Sequence, residues 1–111
     1  MRSLAPLLLV LTTVAMTACS PGACPDGADV VWADAEVLFS EHCTSCHSSA
    51  LGGADRQDAP TDINFDSYEA ARQDPNQTWT EVTLGAMPPA GALSADDKEA
   101  LRVWYACETP Q

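Results

Sequence analysis

The sequence predicts a small helical domain, and three observations predict it. Near the chain's end, Leu101, Trp104 and Tyr105 stand at i, i+3 and i+4, the spacing of one helix face. Short polar sequences of the kind that cap helix starts precede several segments. No run alternates apolar and polar residues with the period of two that a half-buried strand shows.

The elements follow in order. A first helix is predicted from Asp34, read as its N-cap, through Val37, Leu38 and Phe39 to a cysteine cluster. Residues 51–60 are rich in Gly, Asp and Ala and read as loop. Asp66-Ser67-Tyr68-Glu69 matches a capping box for a short helix reaching Arg72, with Pro75 closing that segment. Thr78-Trp79-Thr80-Glu81 offers a second box, for a helix of one to two turns that ends at Gly85. Met87 then lies on the exit loop, where Pro88 and Pro89 hold it extended. Ser94 caps the last helix, and Asp96 and Asp97 in its first turn suit the macrodipole.

The first 18 residues read as an address. Arg2 is followed by an apolar run over 4–14 and by small residues before Cys19, the pattern of a secretory signal. The run is shorter than the roughly 20 residues that span a bilayer, and no second run follows, so no transmembrane helix is expected in the mature protein. Met16-Thr17-Ala18-Cys19 resembles the lipobox of bacterial lipoproteins, although leucine is usual where Met16 stands. That resemblance implies a lipid on Cys19 and attachment to a membrane of the cell envelope; ordinary cleavage nearby would leave Cys19 as a thiol or in a disulfide. The organisation expected is a signal over 1–18, a Pro- and Gly-containing tether over 19–29 and one domain over 30–111.

Of the 111 residues, about 90 remain after the signal, enough for a single core and no second domain. Sixteen Asp and Glu against five Lys and Arg give a net charge of -11, so the clustered positive charge that nucleic-acid binding calls for is missing. The acids are scattered, which suits solubility; at low salt they would also steer a basic redox partner.

The chemistry centres on Cys43-Thr44-Ser45-Cys46-His47. This spacing attaches a c-type haem, both thiols adding to its vinyl groups and the adjacent histidine ligating iron. Three alternatives use the same residues. A zinc site of Cys43, Cys46 and His42 or His47 would want a second ligand pair downstream, and none follows. A thioredoxin-like motif would want a βαβ pattern, which is missing. A plain Cys43–Cys46 disulfide needs nothing further. Met87, the only methionine outside the signal, offers a thioether on a proline-stiffened loop and is expected as the second iron ligand, with core filling the alternative. His42 is tied to the side of His47 by its neighbour Cys43 and reads as a surface residue.

Taken together, the pentapeptide near the first helix, Met87 on a Pro-flanked loop and an aromatic last helix resemble monohaem class I cytochrome c, over nearly all of the mature chain. The resemblance implies an all-α cytochrome c-like fold whose first and last helices cross around one haem, with Phe39 meeting Trp104 and Tyr105 at the crossing. It also implies that Pro60, thirteen residues after His47, offers its carbonyl to the histidine Nδ1–H. A simple turn is the other reading of Pro60. Trp79 and Tyr68 read as core, or as donors lining the pocket. In an oxidising compartment Cys24 and Cys107, near the two ends of the domain, are expected to pair, unless an unlipidated Cys19 takes one of them.

The function expected is a single-electron carrier, not an enzyme, on the periplasmic side of the envelope, serving redox partner proteins. A haem sensor or small peroxidase-like activity would require a labile sixth ligand. A structural envelope lipoprotein would hold no haem.

Overall fold

The computed structural model describes residues 20–111, so the signal over 1–18 and the lipidation expected at Cys19 lie outside the described residues. The described chain is all-helical: α1 (Trp32–His42), a single 3-10 turn (Gly53–Arg56), α2 (Tyr68–Ala71), α3 (Pro75–Thr83) and α4 (Ala95–Ala106). No described helix is long and apolar enough to cross a membrane.

Local chemistry sets the ends of these helices, at several points not where the sequence suggests. α1 starts ahead of Asp34, with Val31 as the extended N-cap. Asp34 instead reaches back from the first turn, its Oδ2 accepting the Val31 N–H at 3.0 Å, which satisfies a donor at the helix entry. This earlier start brings Trp32 into the helix. In α2 the cap is Ser67, whose Oγ accepts the Ala70 N–H at 3.3 Å, and not Asp66, which is engaged elsewhere. Pro75 opens α3 where the sequence reading has it closing a segment. The missing N–H of proline falls at the first helical position, where a helix has no acceptor to offer. Thr78 to Glu81 therefore sits inside α3, and Thr80 Oγ1 donates back to the Asn76 carbonyl at 2.7 Å instead of capping. Beyond α3, Gly85 adopts φ of +76°, a left-handed conformation that glycine enters without a Cβ penalty. α4 begins as its residues suggest, Ser94 Oγ accepting the Asp97 N–H at 3.1 Å.

α1 packs on α4, and α3 packs on α4 beside it. Phe39 and Trp104 are fully buried at the α1–α4 contact, edge to face with ring centroids 5.7 Å apart. Phe65 stacks on the other side chain of that pair, its ring 4.9 Å from Phe39 and nearly parallel to it. Trp32 adds a fourth ring, against Trp104 at 5.6 Å. Such aromatic pairs contribute about 0.5–1.5 kcal/mol each beyond area burial. Val103 is also buried, but outside the core cluster that Leu101, Trp104 and Tyr105 join.

Three aromatic side chains of the core and its edge find carbonyls for their polar tips. Trp104 Nε1–H donates to Pro110 at 3.0 Å, Tyr105 to Ala71 at 2.9 Å and Tyr68 to Thr109 at 2.9 Å. These bonds fold the residues after α4 back onto the core and tie α2 to α4. Burial pushes the Tyr105 phenol well above its ordinary value, so it remains a donor.

Cys24 and Cys107 form a disulfide with Cα atoms 4.7 Å apart. Beside it, Arg102 Nη1 donates to the Pro21 carbonyl at 2.8 Å while its Nε and Nη2 grip Glu99 at 2.8 and 2.7 Å. The segment read as a tether is irregular over its described part, yet it is fastened to α4 at Pro21 and again at Cys24.

Candidate functional site

α1 ends at His42, and Cys43 serves as its C-cap, donating its N–H to Phe39 at 2.8 Å. One more turn follows: Cys46 and His47 both donate their backbone N–H to the Cys43 carbonyl, at 3.2 and 2.9 Å. This turn brings two thiols and an imidazole to one end of α1. Cys43 and Cys46 are free thiols, so the plain disulfide between them is not formed. Burial pushes the Cys43 thiol up to about 11, which keeps it protonated and a poor nucleophile toward stray disulfides at neutral pH.

His47 is buried and held from three directions. Its Nδ1 lies 3.0 Å from the Ile63 carbonyl, an acceptor that calls for a ring proton on Nδ1, so that Nε2 is the nitrogen left to ligate. Its own carbonyl accepts the Phe65 N–H at 2.9 Å, and the Phe65 ring packs edge-on at 5.4 Å. The carbonyl expected from Pro60 to accept the His47 Nδ1–H is therefore supplied by Ile63. The reason is a turn: Ile63 donates its N–H to the Pro60 carbonyl at 3.3 Å, and the carbonyl of Ile63, three residues on, comes to face the imidazole in place of that of Pro60. Pro60 still lines the cavity described below, and its carbonyl also accepts from Arg56.

Sequence reasoning missed Arg56. It is 3 % exposed in the stretch read as plain loop, and its guanidinium donates to four carbonyls. Nε reaches Ala59 at 3.2 Å, Nη1 reaches Ser48 at 2.6 Å, and Nη2 reaches both Pro60 and Ile63, the latter at 3.1 Å. One positive charge thus organises the whole stretch behind His47. Its only local signal is a lone cation amid Gly, Ala and Asp.

Asp66 closes the same stretch from the other end. Its Oδ2 accepts from Ser48 Oγ, Ser49 N–H and Ser49 Oγ, each at 2.8 Å. Desolvation works to raise its carboxyl, but the bonds from Ser49 and Ser48 outweigh it and hold the group below its ordinary value. A depressed folded-state value means stability present above about pH 4 and lost as pH falls through the folded value. Asp66→Asn is accordingly expected to flatten the acid limb of thermal stability, measured as melting temperature against pH. Superimposable acid limbs for variant and wild type would remove this role.

Met87 follows α3. Ala86 and Met87 both donate their N–H to the Glu81 carbonyl, at 3.0 and 3.1 Å, so the loop hangs directly from the helix. Met87 is 37 % exposed. A cavity of about 840 Å³ is lined by Cys43, Cys46, His47, Ile63, α3 residues including Val82, and the Met87–Pro89 loop. That volume lies in the range of small-molecule and cofactor sites. Four side chains that the sequence singles out, Cys43, Cys46, His47 and Met87, therefore border one space. A second hollow of about 540 Å³ beside α1 contains none of them.

Trp79 is buried in the core, Tyr68 bonds to Thr109, and neither lines the larger cavity. His42 is not a solvated surface residue: it borders the cavity half-buried, with Nε2 3.6 Å from the Asp97 carboxylate of α4. Cys24 and Cys107 take no part in the cavity. Among the described residues no three of His, Cys, Asp and Glu gather as a metal-ion site of their own. Comparison of the chain with family models, with curated proteins and with solved structures gives no match.

Proposed function

We propose that the chain is a single-electron carrier of the c-type cytochrome kind, holding one covalent haem on the periplasmic side of the cell envelope. One observation carries the reading: two free thiols, an imidazole held through Nδ1 by a carbonyl and a thioether all border a single cavity of about 840 Å³. The donor set fits haem c better than any bare ion.

In this reading Cys43 and Cys46 would hold the haem by thioether bonds, their S–H groups having added across its vinyl groups, and His47 Nε2 and the Met87 thioether would ligate its iron. When bound, haem supplies one-electron redox chemistry at iron. The chain supplies the rest. Ile63 fixes the tautomer of His47, Phe65 and Val82 give apolar wall, and the core of Phe39 and Trp104 holds α1 against α4 so that the motif keeps its place. With both of these ligands in place the iron would have no open position, which favours transfer over catalysis. The acidic surface suits redox partner proteins with basic docking faces.

The test is covalent haem itself. Expression with cytochrome c maturation factors is expected to give a red protein whose mass exceeds the polypeptide's by one haem. In Cys43→Ser/Cys46→Ser the haem is expected to be lost under denaturing extraction. A colourless wild-type protein would refute the reading and leave an envelope lipoprotein without haem. The exposure of Met87 favours one other reading, a haem sensor or peroxidase-like protein in which that ligand is displaced.

A further inference from the structure

The Ile63 carbonyl serves two donors. His47 Nδ1 lies 3.0 Å from it and Arg56 Nη2 3.1 Å, so both lone pairs of one oxygen are engaged, one by the imidazole and one by a buried cation. We infer that Arg56 is the positioning residue for His47: it holds in place the carbonyl that orients the imidazole, and by sharing that carbonyl it limits how far the ring is drawn toward imidazolate. The inference rests on the haem reading above.

The physical reasoning has two parts that act in one direction. A hydrogen-bond acceptor behind a ligating histidine raises the ligand's basicity, which stabilises the more positive, oxidised iron. An acceptor already committed to a guanidinium is a weaker acceptor for the second donor, so this push is reduced and the reduced state gains. The charge itself adds to this. Arg56 is buried, forms no ion pair among the described residues, and opposes the extra positive charge of the oxidised state in a medium of low dielectric. Among the described residues the cavity wall carries Asp58, Asp62, Asp74 and Glu81 and no Lys or Arg, so Arg56 stands as the cation directly behind His47. Lysine does not substitute for it. The planar fork reaches Ser48, the residue after the ligand, together with Ile63, the ligand's acceptor, whereas an ammonium is a single point of attachment.

The experiment uses the full chain with haem attached, in wild type, Arg56→Lys and Arg56→Gln. Two quantities are measured: the midpoint potential, and the solvent-exchange lifetime of the His47 Nδ1–H by NMR in the reduced, diamagnetic protein. Arg56→Gln is expected to shift the one-electron equilibrium about tenfold toward the oxidised form, about 59 mV downward. Arg56→Lys, which keeps the charge but not the fork, is expected to fall between Arg56→Gln and wild type and to shorten the Nδ1–H lifetime. Wild-type values of both quantities in Arg56→Lys overturn the inference, whether or not Arg56→Gln is shifted, because charge alone then accounts for any effect. Should neither variant fold, couplings across the hydrogen bonds from the Ile63 carbonyl carbon to His47 Nδ1 and to Arg56 Nη2 in the wild type decide it, and the absence of either coupling overturns it. A wild-type protein without covalent haem defeats the haem reading itself, before any Arg56 variant is needed.

Discussion

Met87→Ala is expected to leave the haem attached, to abolish the near-red absorption band of a methionine-to-ferric-iron bond, and to lower the potential by on the order of 100 mV, a fraction of the range axial ligands span. On the proposed reading attachment would survive because it would depend on Cys43 and Cys46, which sit on the turn after α1 and owe nothing to the α3 exit loop. The potential falls because a soft thioether favours the reduced iron, and alanine offers no replacement donor. The loop itself is expected to persist, since the Met87 backbone N–H on the Glu81 carbonyl is untouched by the substitution. The reduced variant is also expected to bind carbon monoxide readily where the wild type binds it poorly. Wild-type protein that lacks the band, or that takes up carbon monoxide as fast as the variant, would move the sensor or peroxidase-like reading ahead of electron transfer.

Removing the disulfide as Cys24→Ser/Cys107→Ser is expected to cost about 4 kcal/mol in the chain-entropy account, and no less than about 2 kcal/mol on typical measured effects. The bridge closes nearly the whole described chain, its cysteines being 83 residues apart, so the unfolded ensemble gains more freedom than with any shorter link. For a domain of this size the melting temperature should fall by at least roughly 10 °C. The haem spectrum should not change, because neither cysteine borders the cavity. Equal melting temperatures with and without the bridge would remove its stabilising role, and a shifted spectrum would show that the two ends of the chain communicate with the site.

The parts of the molecule legible in the sequence are those whose signals are local. The last helix is one, because Ser94 and the Leu101, Trp104, Tyr105 stripe lie within a single stretch. The thiol and imidazole pattern after α1 is another, since its chemistry needs only five consecutive residues. Misreadings arise where one residue type serves two purposes. Pro75 ends helices and also begins them, and only what lies upstream, here Asp74 in a left-handed conformation, decides which. Asp66 looks like a cap, but Ser48 and Ser49, far behind it in the chain, claim its carboxylate first. Arg56 was illegible for a deeper reason: its partners are four backbone carbonyls, and a carbonyl has no letter in a sequence. Ile63 stands in for Pro60 on the same ground, since it acts on His47 through its main chain.

The double fastening of the N-terminal segment fixes where a membrane would stand. Arg102 grips the Pro21 carbonyl and the disulfide follows at Cys24, so the chain leaves the body of the domain with almost no slack. A lipid on Cys19 would then be two residues from the first fastening, a reach of about 7 Å at full extension. That standoff is shorter than the Debye length of about 8 Å at physiological salt. A strongly acidic chain would be held inside the unscreened field of anionic headgroups, unable to retreat on a leash and pushed to turn its acids outward. Orientation at the bilayer would follow from this frustration between anchor and charge, and would loosen as ionic strength rises.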